Sequence, residues 1–242
     1  MPNEKARIDL LFECFYMSLG VKSGHSMLTF RWPLTPMPPV EIGQTYNGVT
    51  FNLGSTNSLL VRDGGKNIII DPGILQLGRY GTLQKRLAEF GLKPEDIDLV
   101  VNTHCHYDHS ESNYLFRGKP LAIHEKEYEY AAELYWPEWR RAFLDILEVQ
   151  AFSGEKRISG NIRLIETMGH TPGSISALVD TDDGLVACIG DAAVVKEDYL
   201  ELREPMVVTK NISGSAAVES LRKIAAYKPV LVIPGHDAPF KP

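Results

Sequence analysis

Four apolar runs in this 242-residue chain each lead to side chains of the kind that bind metals. Ile97-Asp98-Leu99-Val100-Val101 runs into His104-Cys105-His106-Tyr107-Asp108-His109. Ile162 to Glu166 precedes His170, Leu185 to Ile189 precedes Asp191, and Pro229 to Ile233 precedes His236. A fold for such a chain has to bring four strand ends to one place, because imidazoles and carboxylates hold an ion only when their lone pairs converge. Five of the seven histidines take part in the pattern. His104 and His106, one residue apart in an extended turn, can face a single ion. Asp108 and His109 point differently and suit a second ion, roughly 3.5 Å from the first as in two-metal hydrolytic sites. A carboxylate spanning both must come from elsewhere, and Asp191 stands alone after a strand. The arrangement predicts a binuclear metal site and a hydrolase.

Charge narrows the alternatives. With 31 acidic against 25 basic residues the chain carries a formal net charge of −6, which argues against a general nucleic-acid or anionic-membrane surface. Met1-Pro2-Asn3-Glu4-Lys5 lacks the features of a secretory signal, and no apolar run approaches membrane-spanning length, so a cytoplasmic protein is expected. Cys14, Cys105 and Cys188 are odd in number and widely spaced, which fits reduced thiols and not a disulfide framework.

No break in composition divides the chain, and one domain over residues 1–242 is expected. Arg7 to Phe15 reads as a strand. Residues 23–39 carry His25, Met27, Phe30, Trp32, Leu34 and Met37 among four prolines, which forbid a long helix or central strand. This loop is expected to be a lid, an oligomer contact that would make a homodimer, or a flap on its own core. Val49 to Leu53, Ser58 to Arg62 and Lys66 to Asp71 read as an antiparallel meander turning at Asp63-Gly64-Gly65. Helical spacing covers Tyr80 to Phe90, Glu125 to Tyr135, Glu138 to Leu147 and Ser213 to Tyr227, while Ile175 to Val179 and Leu185 to Ile189 form a hairpin. Two sheets packed face to face, with helices outside, accommodate this order.

The set His104-x-His106-x-Asp108-His109, His170, Asp191 and His236, with Ile70-Asp71-Pro72-Gly73 closing the meander, resembles the metallo-β-lactamase superfamily. The resemblance implies an α+β, four-layer αβ/βα sandwich with two divalent metal ions at one edge, zinc first and iron or manganese as the other candidates. It implies that His104, His106 and His170 hold one ion, that Asp108, His109 and His236 hold the other, and that Asp191 bridges. Aspartate at 191, where dizinc β-lactamases commonly use cysteine, argues against antibiotic hydrolysis. His106 stands where flavodiiron proteins carry glutamate, which argues against oxygen or nitric-oxide reduction. Gly91 to Ile97, Glu125 to Glu129 and Lys228 to Asp237 resemble acyl-homoserine lactone lactonases. Those enzymes place a tyrosine three residues after the bridging aspartate, where this chain has Val194; Tyr199 is nearby but is not given that role.

The expected reaction is attack of a metal-held hydroxide on a small ester, lactone or thioester, with Asp108 both a ligand and the catalytic residue that orients the nucleophile. A phosphodiesterase or small nuclease is the alternative and would need a basic clamp, for which Arg140-Arg141 and Arg203 are the candidates. A non-catalytic metal-binding module is the third reading. Cys105 should face away from the ligands and pack, and Tyr107 should pack also. Thr171 and Ser174 either fix the His170 turn or cap its loop. His25 and His124 are not expected to be ligands.

Overall fold

A computed structural model of the chain describes residues 4–12, 15–16, 20–21, 45–46, 49–50, 54–73, 83–205 and 214–242. The proline-rich loop at 23–39, His25 and Cys14 lie outside the described residues. In chain order the strands of the first half are β1 (Arg7–Phe12), β2 (Phe15–Tyr16), β3 (Gly20–Val21), β4 (Thr45–Tyr46), β5 (Val49–Thr50), β6 (Gly54–Ser55), β7 (Ser58–Asp63) and β8 (Lys66–Ile70). Helix α1 (Leu83–Glu89), β9 (Leu99–Val101), α2 (Tyr107–Ser110), β10 (Pro120–His124), α3 (Glu125–Leu134), α4 (Pro137–Phe143) and β11 (Glu148–Phe152) follow. The second half holds β12 (Lys156–Arg157), β13 (Ile162–Glu166), β14 (Ile175–Thr181), β15 (Gly184–Gly190), α5 (Lys196–Leu200), α6 (Gly214–Ala226) and β16 (Leu231–Pro234).

Two large sheets result, ordered β1-β7-β8-β9-β10-β11 and β12-β13-β14-β15-β16. Side chains of successive strand residues point to opposite faces, and this period of two sorts the core into layers. Leu59, Val61, Ile68, Ile70, Val101 and Ala122 face inward and meet Leu164, Ala177, Val179, Cys188 and Ile233 of the other sheet. Their neighbours Leu60, Ile69, Val100, Leu121 and Ile123 face outward, against Leu83 and Leu87 of α1, Ala131 of α3 and Trp139 of α4. On the far side, Leu178, Ala187, Ile189 and Val232 are covered by Tyr199 of α5 and by Leu221 and Ile224 of α6. Helix, sheet, sheet, helix is the expected α+β sandwich. In α6 the buried positions Ala217, Leu221 and Ile224 recur at helical spacing, and each large apolar side chain buried contributes about 1.5–3 kcal/mol.

Three local expectations change. Val49 and Thr50, the described part of the 49–53 run, do not continue the meander: β5 pairs with β3 and β4 in a separate sheet, and β7 pairs with β1 on its other side. Thr56 and Asn57, just before β7, turn their polar groups to carbonyls of the 234–237 segment. Of the strand expected from Arg7 to Phe15, Arg7–Phe12 is described as β1, paired with β7, while Phe15 belongs to the two-residue strand paired with β6. Helix α4 ends at Phe143, not Leu147; Leu144 and Leu147 stay buried in the turn that leads to β11, an edge strand parallel to β10. Among the described residues no helix is long and apolar enough to cross a membrane.

Candidate metal centre

Strands β9 and β15, together with β16, end at the same edge of the sandwich, and β13 returns to it through the turn that holds His170. Parallel pairing of β15 with β16, with a register shift between Cys188 and Gly190 that leaves Gly190 opposite Pro234, puts the Asp191 and His236 segments side by side. Backbone bonds then lock them: Gly235 N–H donates to Ala193 O (3.2 Å) and His236 N–H to Val194 O (2.9 Å). Asn57 ties down the same loop, its Nδ2 donating to Pro234 O and Asp237 O at 2.7 Å each. Gly235 is required by proximity, since a Cβ there would fall 1.8 Å from Asp191 Oδ1. The 104–110 turn is closed by Ser110, whose hydroxyl donates to His106 O at 2.9 Å.

These supports bring all seven predicted site residues together. His106 Nδ1 lies 3.0 Å from His104 Nε2 and 2.9 Å from His170 Nε2. His109 Nε2 and His236 Nε2 are 3.4 Å apart, and Asp108 Oδ2 is 3.3 Å from His236 Nε2. Asp191 sits between the two groups, with Oδ2 3.3 Å from His170 Nε2 and Oδ1 3.3 Å from His109 Nε2 and 3.4 Å from His236 Nε2. Three overlapping sets have ligand atoms mutually within 4.8 Å: His104, His106 and His170; His104, His109 and Asp191; and Asp108, His109 and His236.

The donor chemistry fits divalent cations. Ring nitrogens converging at about 3 Å repel through their lone pairs unless a proton or a metal lies among them. Asp191 Oδ1 is buried and makes no well-formed hydrogen bond among the described residues, facing His109 Nε2 at 3.3 Å and His236 Nε2 at 3.4 Å, a geometry that a divalent cation among these three atoms would satisfy. Electrostatics within the cluster are strained in the same sense. Burial, then neighbouring His109, His106 and His170, pushes the charged form of His104 well down; burial and His170 bring His106 to about 3. Burial opposes charge on His109 too, yet Asp191, Asp71 and Asp108 outweigh it and hold that imidazole up, to about 10. Burial would raise Asp108, but His109 and His236 hold it down, to about 2; His236, His109 and His170 likewise overcome burial at Asp191, whose carboxyl is held well below its ordinary value.

Several supporting residues escaped the sequence reading. Asp71 Oδ2 accepts from Thr103 Oγ1 (2.6 Å) and meets His109 Nδ1 (2.9 Å), while Oδ1 accepts Thr103 N–H (2.7 Å). Its signal was present in Ile70-Asp71-Pro72-Gly73, which carried no assigned role. Glu127 is buried beneath the His104 and His170 loops. It was hidden inside a charged helical string, although its spacing puts it on the face of Ala131. Thr171 and Ser174 do fix the His170 turn, with Thr171 N–H donating to Ser174 Oγ at 3.1 Å.

Other expectations divide. Cys105 faces away into the helix-covered core, as anticipated, with its thiol pushed up by burial and by Glu127. Tyr107 does not pack: it is 47 % exposed, because its place in the first turn of α2 points it away from the core. His124 caps α3, with Nδ1 accepting from Lys126 N–H and Nε2 2.9 Å from Glu166. Val194 is buried, and Tyr199 packs edge-on against Phe240 in the outer core. Arg140 covers the Tyr128 ring, Arg141 pairs with Glu138, and Arg203 pairs with Asp198 and Glu201.

Residues 51–236 match the model of the metallo-beta-lactamase superfamily. An N-acyl homoserine lactonase of Bacillus cereus is 29 % identical over 167 residues, covering 69 % of this chain and 65 % of the relative. A probable metallo-hydrolase of Methanocaldococcus jannaschii is 36 % identical over 153 residues, 63 % of each chain. The matched part of this chain thus spans slightly less than two thirds of these curated relatives. Among solved structures, an N-acyl homoserine lactone hydrolase with its product N-hexanoyl-L-homoserine bound at the catalytic metal centre shares the fold, with a TM-score of 0.69 at 20 % identity over 98 % of this chain and 94 % of that one. With a family match across most of its length, the chain belongs to the metallo-β-lactamase superfamily.

Proposed function

We propose that the chain is a binuclear metal-dependent hydrolase of a small ester, lactone or thioester. The observation that carries this reading is the position of Asp191, buried between two nitrogen-rich sets with one oxygen toward each. His104, His106 and His170 would hold one divalent ion, Asp108, His109 and His236 the other, and Asp191 would serve both. Nitrogen and carboxylate donors without thiolate suit zinc, with iron or manganese as alternatives. Bound there, two divalent ions supply an activated water at neutral pH and a Lewis acid for the substrate oxygen.

The chain's own groups do the rest. Asp108, held anionic by His109 and His236, accepts hydrogen bonds at the site and orients the attacking water. Val194 presents no hydroxyl, and its N–H is committed to Asp198 Oδ2 at 3.1 Å, so leaving-group stabilisation cannot come from that residue's side chain or amide. Lactones are the first substrates to test, because the Bacillus cereus relative is an N-acyl homoserine lactonase. Phosphodiester cleavage is disfavoured by the arginines available for a clamp: Arg140, Arg141 and Arg203 are each paired with carboxylates.

The test is metal content per chain together with rates on an acyl-homoserine lactone, a thioester, an aryl ester and bis(p-nitrophenyl) phosphate. Two ions per chain and faster acyl than phosphodiester cleavage are expected. A fully metallated protein inert toward all three acyl substrates overturns the proposal.

A further inference from the structure

Glu127 places a carboxylate where packing alone would favour a hydrophobe. It is fully buried in the first turn of α3, on the face it shares with Ala131. Three donors converge on it. Cys105 N–H donates to Oε1 at 2.8 Å; Thr171 Oγ1 donates to Oε2 at 2.7 Å, and Gly173 N–H donates to the same oxygen at 3.0 Å.

The partners belong to two loops distant in sequence. Cys105 lies between His104 and His106, and Thr171 follows His170, so these two loop positions adjoin the three histidines of one candidate set. Each loop hangs on its own oxygen of a single planar carboxylate, whose fixed geometry therefore sets their separation. Approach is close enough to demand glycine: a Cβ on Gly173 would lie 2.3 Å from Glu127 N. Thr171 Oγ1 and Ser174 Oγ, 2.6 Å apart, complete the latch. The other set is braced elsewhere, His109 by Asp71 and the His236 loop by Asn57.

We infer that Glu127 is a positioning residue that sets the metal affinity of the His104, His106 and His170 set and leaves that of the Asp108, His109 and His236 set nearly unchanged, an inference that rests on the metal-centre reading above. No latch residue belongs to the candidate ligand sets. It acts by holding two backbone loops in register, the kind of outer support whose loss costs about ten- to a hundred-fold in metal affinity.

Glu127→Gln is nearly isosteric, yet its NH2 must face a donor, Cys105 N–H on one side or Gly173 N–H on the other, and one loop loses its anchor. The experiment titrates apo wild type, Glu127→Gln and Thr171→Val with zinc against a chromophoric chelator. Denaturant midpoints of the apo proteins are taken in parallel. For Glu127→Gln, one of the two ions is expected to bind about ten- to a hundred-fold more weakly, with the other changed by less than about threefold. The loss should persist in a His236→Ala background, where only the first set is complete. Thr171→Val, which removes one of three donors without changing shape, should weaken the same ion by a smaller factor, and it carries the comparison if Glu127→Gln does not fold. Equal weakening of both ions, or of neither, overturns the inference. Failure of wild type to take up any ion overturns the metal-centre reading instead.

Discussion

His109 gives its Nδ1 to Asp71 Oδ2 at 2.9 Å and turns its Nε2 toward Asp191 Oδ1 at 3.3 Å. With Nδ1 committed to Asp71, Nε2 is the nitrogen left for a metal, which would displace the proton that the surrounding carboxylates favour there. Asp71 is held for the task in a left-handed conformation, φ 48°, and its second oxygen is satisfied by Thr103 N–H. Asparagine tolerates that backbone but brings an NH2 that opposes the Thr103 and His109 donors. Asp71→Asn should therefore weaken zinc binding by about ten- to a hundred-fold and lower apo stability by about 1–3 kcal/mol. Zinc titration with apo denaturation checks both, and wild-type values for each would remove Asp71 from the site's support.

Metal should couple to folding. The converging nitrogens and the poorly bonded Asp191 Oδ1 make the site costly when no cation is bound, and an unfolded chain cannot reproduce the arrangement. Free zinc at a hundred times its dissociation constant is expected to stabilise the fold by about 2.7 kcal/mol. Thermal midpoints of chelated protein should rise with added zinc in a concentration-dependent way. A midpoint indifferent to zinc would show that the cluster binds none.

How far the chain could be read beforehand depended on whether a signal was local. The 104–109 cluster was legible because four of its ligand-type side chains occupy six consecutive residues, and His170, Asp191 and His236 because each follows an apolar run. Strands β7 and β8 were legible as short strand-like runs joined by the Asp63-Gly64-Gly65 turn. Strand β11 was not: Glu148-Val149-Gln150-Ala151-Phe152 is an edge strand, mostly exposed, with too few apolar positions to stand out. The preceding Leu144 and Leu147 kept a helical spacing that tertiary packing, not helix, satisfies. Glu127 and Asp71 acquire their roles from partners 22 to 46 and 32 to 38 residues away, contacts that no local pattern encodes.

Acid sensitivity offers a check away from the metal site. His124 Nε2 and the Gly154 N–H both bond Glu166, and together they hold its carboxyl below the ordinary glutamate range. A depressed folded value means stability that is present above the unfolded value, about 4.3, and lost as pH falls through the folded one. In chelated protein, Glu166→Gln should be less stable than wild type at neutral pH, and the gap should close on acidification to about pH 3. Site residues titrate in both proteins and cancel in the difference. Urea midpoints at the two pH values decide it; a gap that does not change with pH would leave the interaction without an ionic part.

The smallest change with the largest expected consequence is Gly235→Ala. A methyl group there would stand 1.8 Å from Asp191 Oδ1 and 3.2 Å from the Gly190 carbonyl carbon, so either the aspartate or the β15–β16 junction must move. The backbone resists, because Gly235 and His236 donate to Ala193 O and Val194 O, and Asn57 N–H donates to Gly235 O at 2.8 Å. Asp191, a side chain whose Oδ1 makes only the 3.3 and 3.4 Å approaches to His109 and His236, yields before the bonded backbone does. Both ions share that carboxylate in the proposed centre, so both should bind more weakly, unlike the one-sided loss expected for Glu127→Gln. Metal content after dialysis against a weak chelator should fall below one ion per chain while the circular dichroism stays native. Retention of two tightly held ions would mean that Asp191 does not bridge.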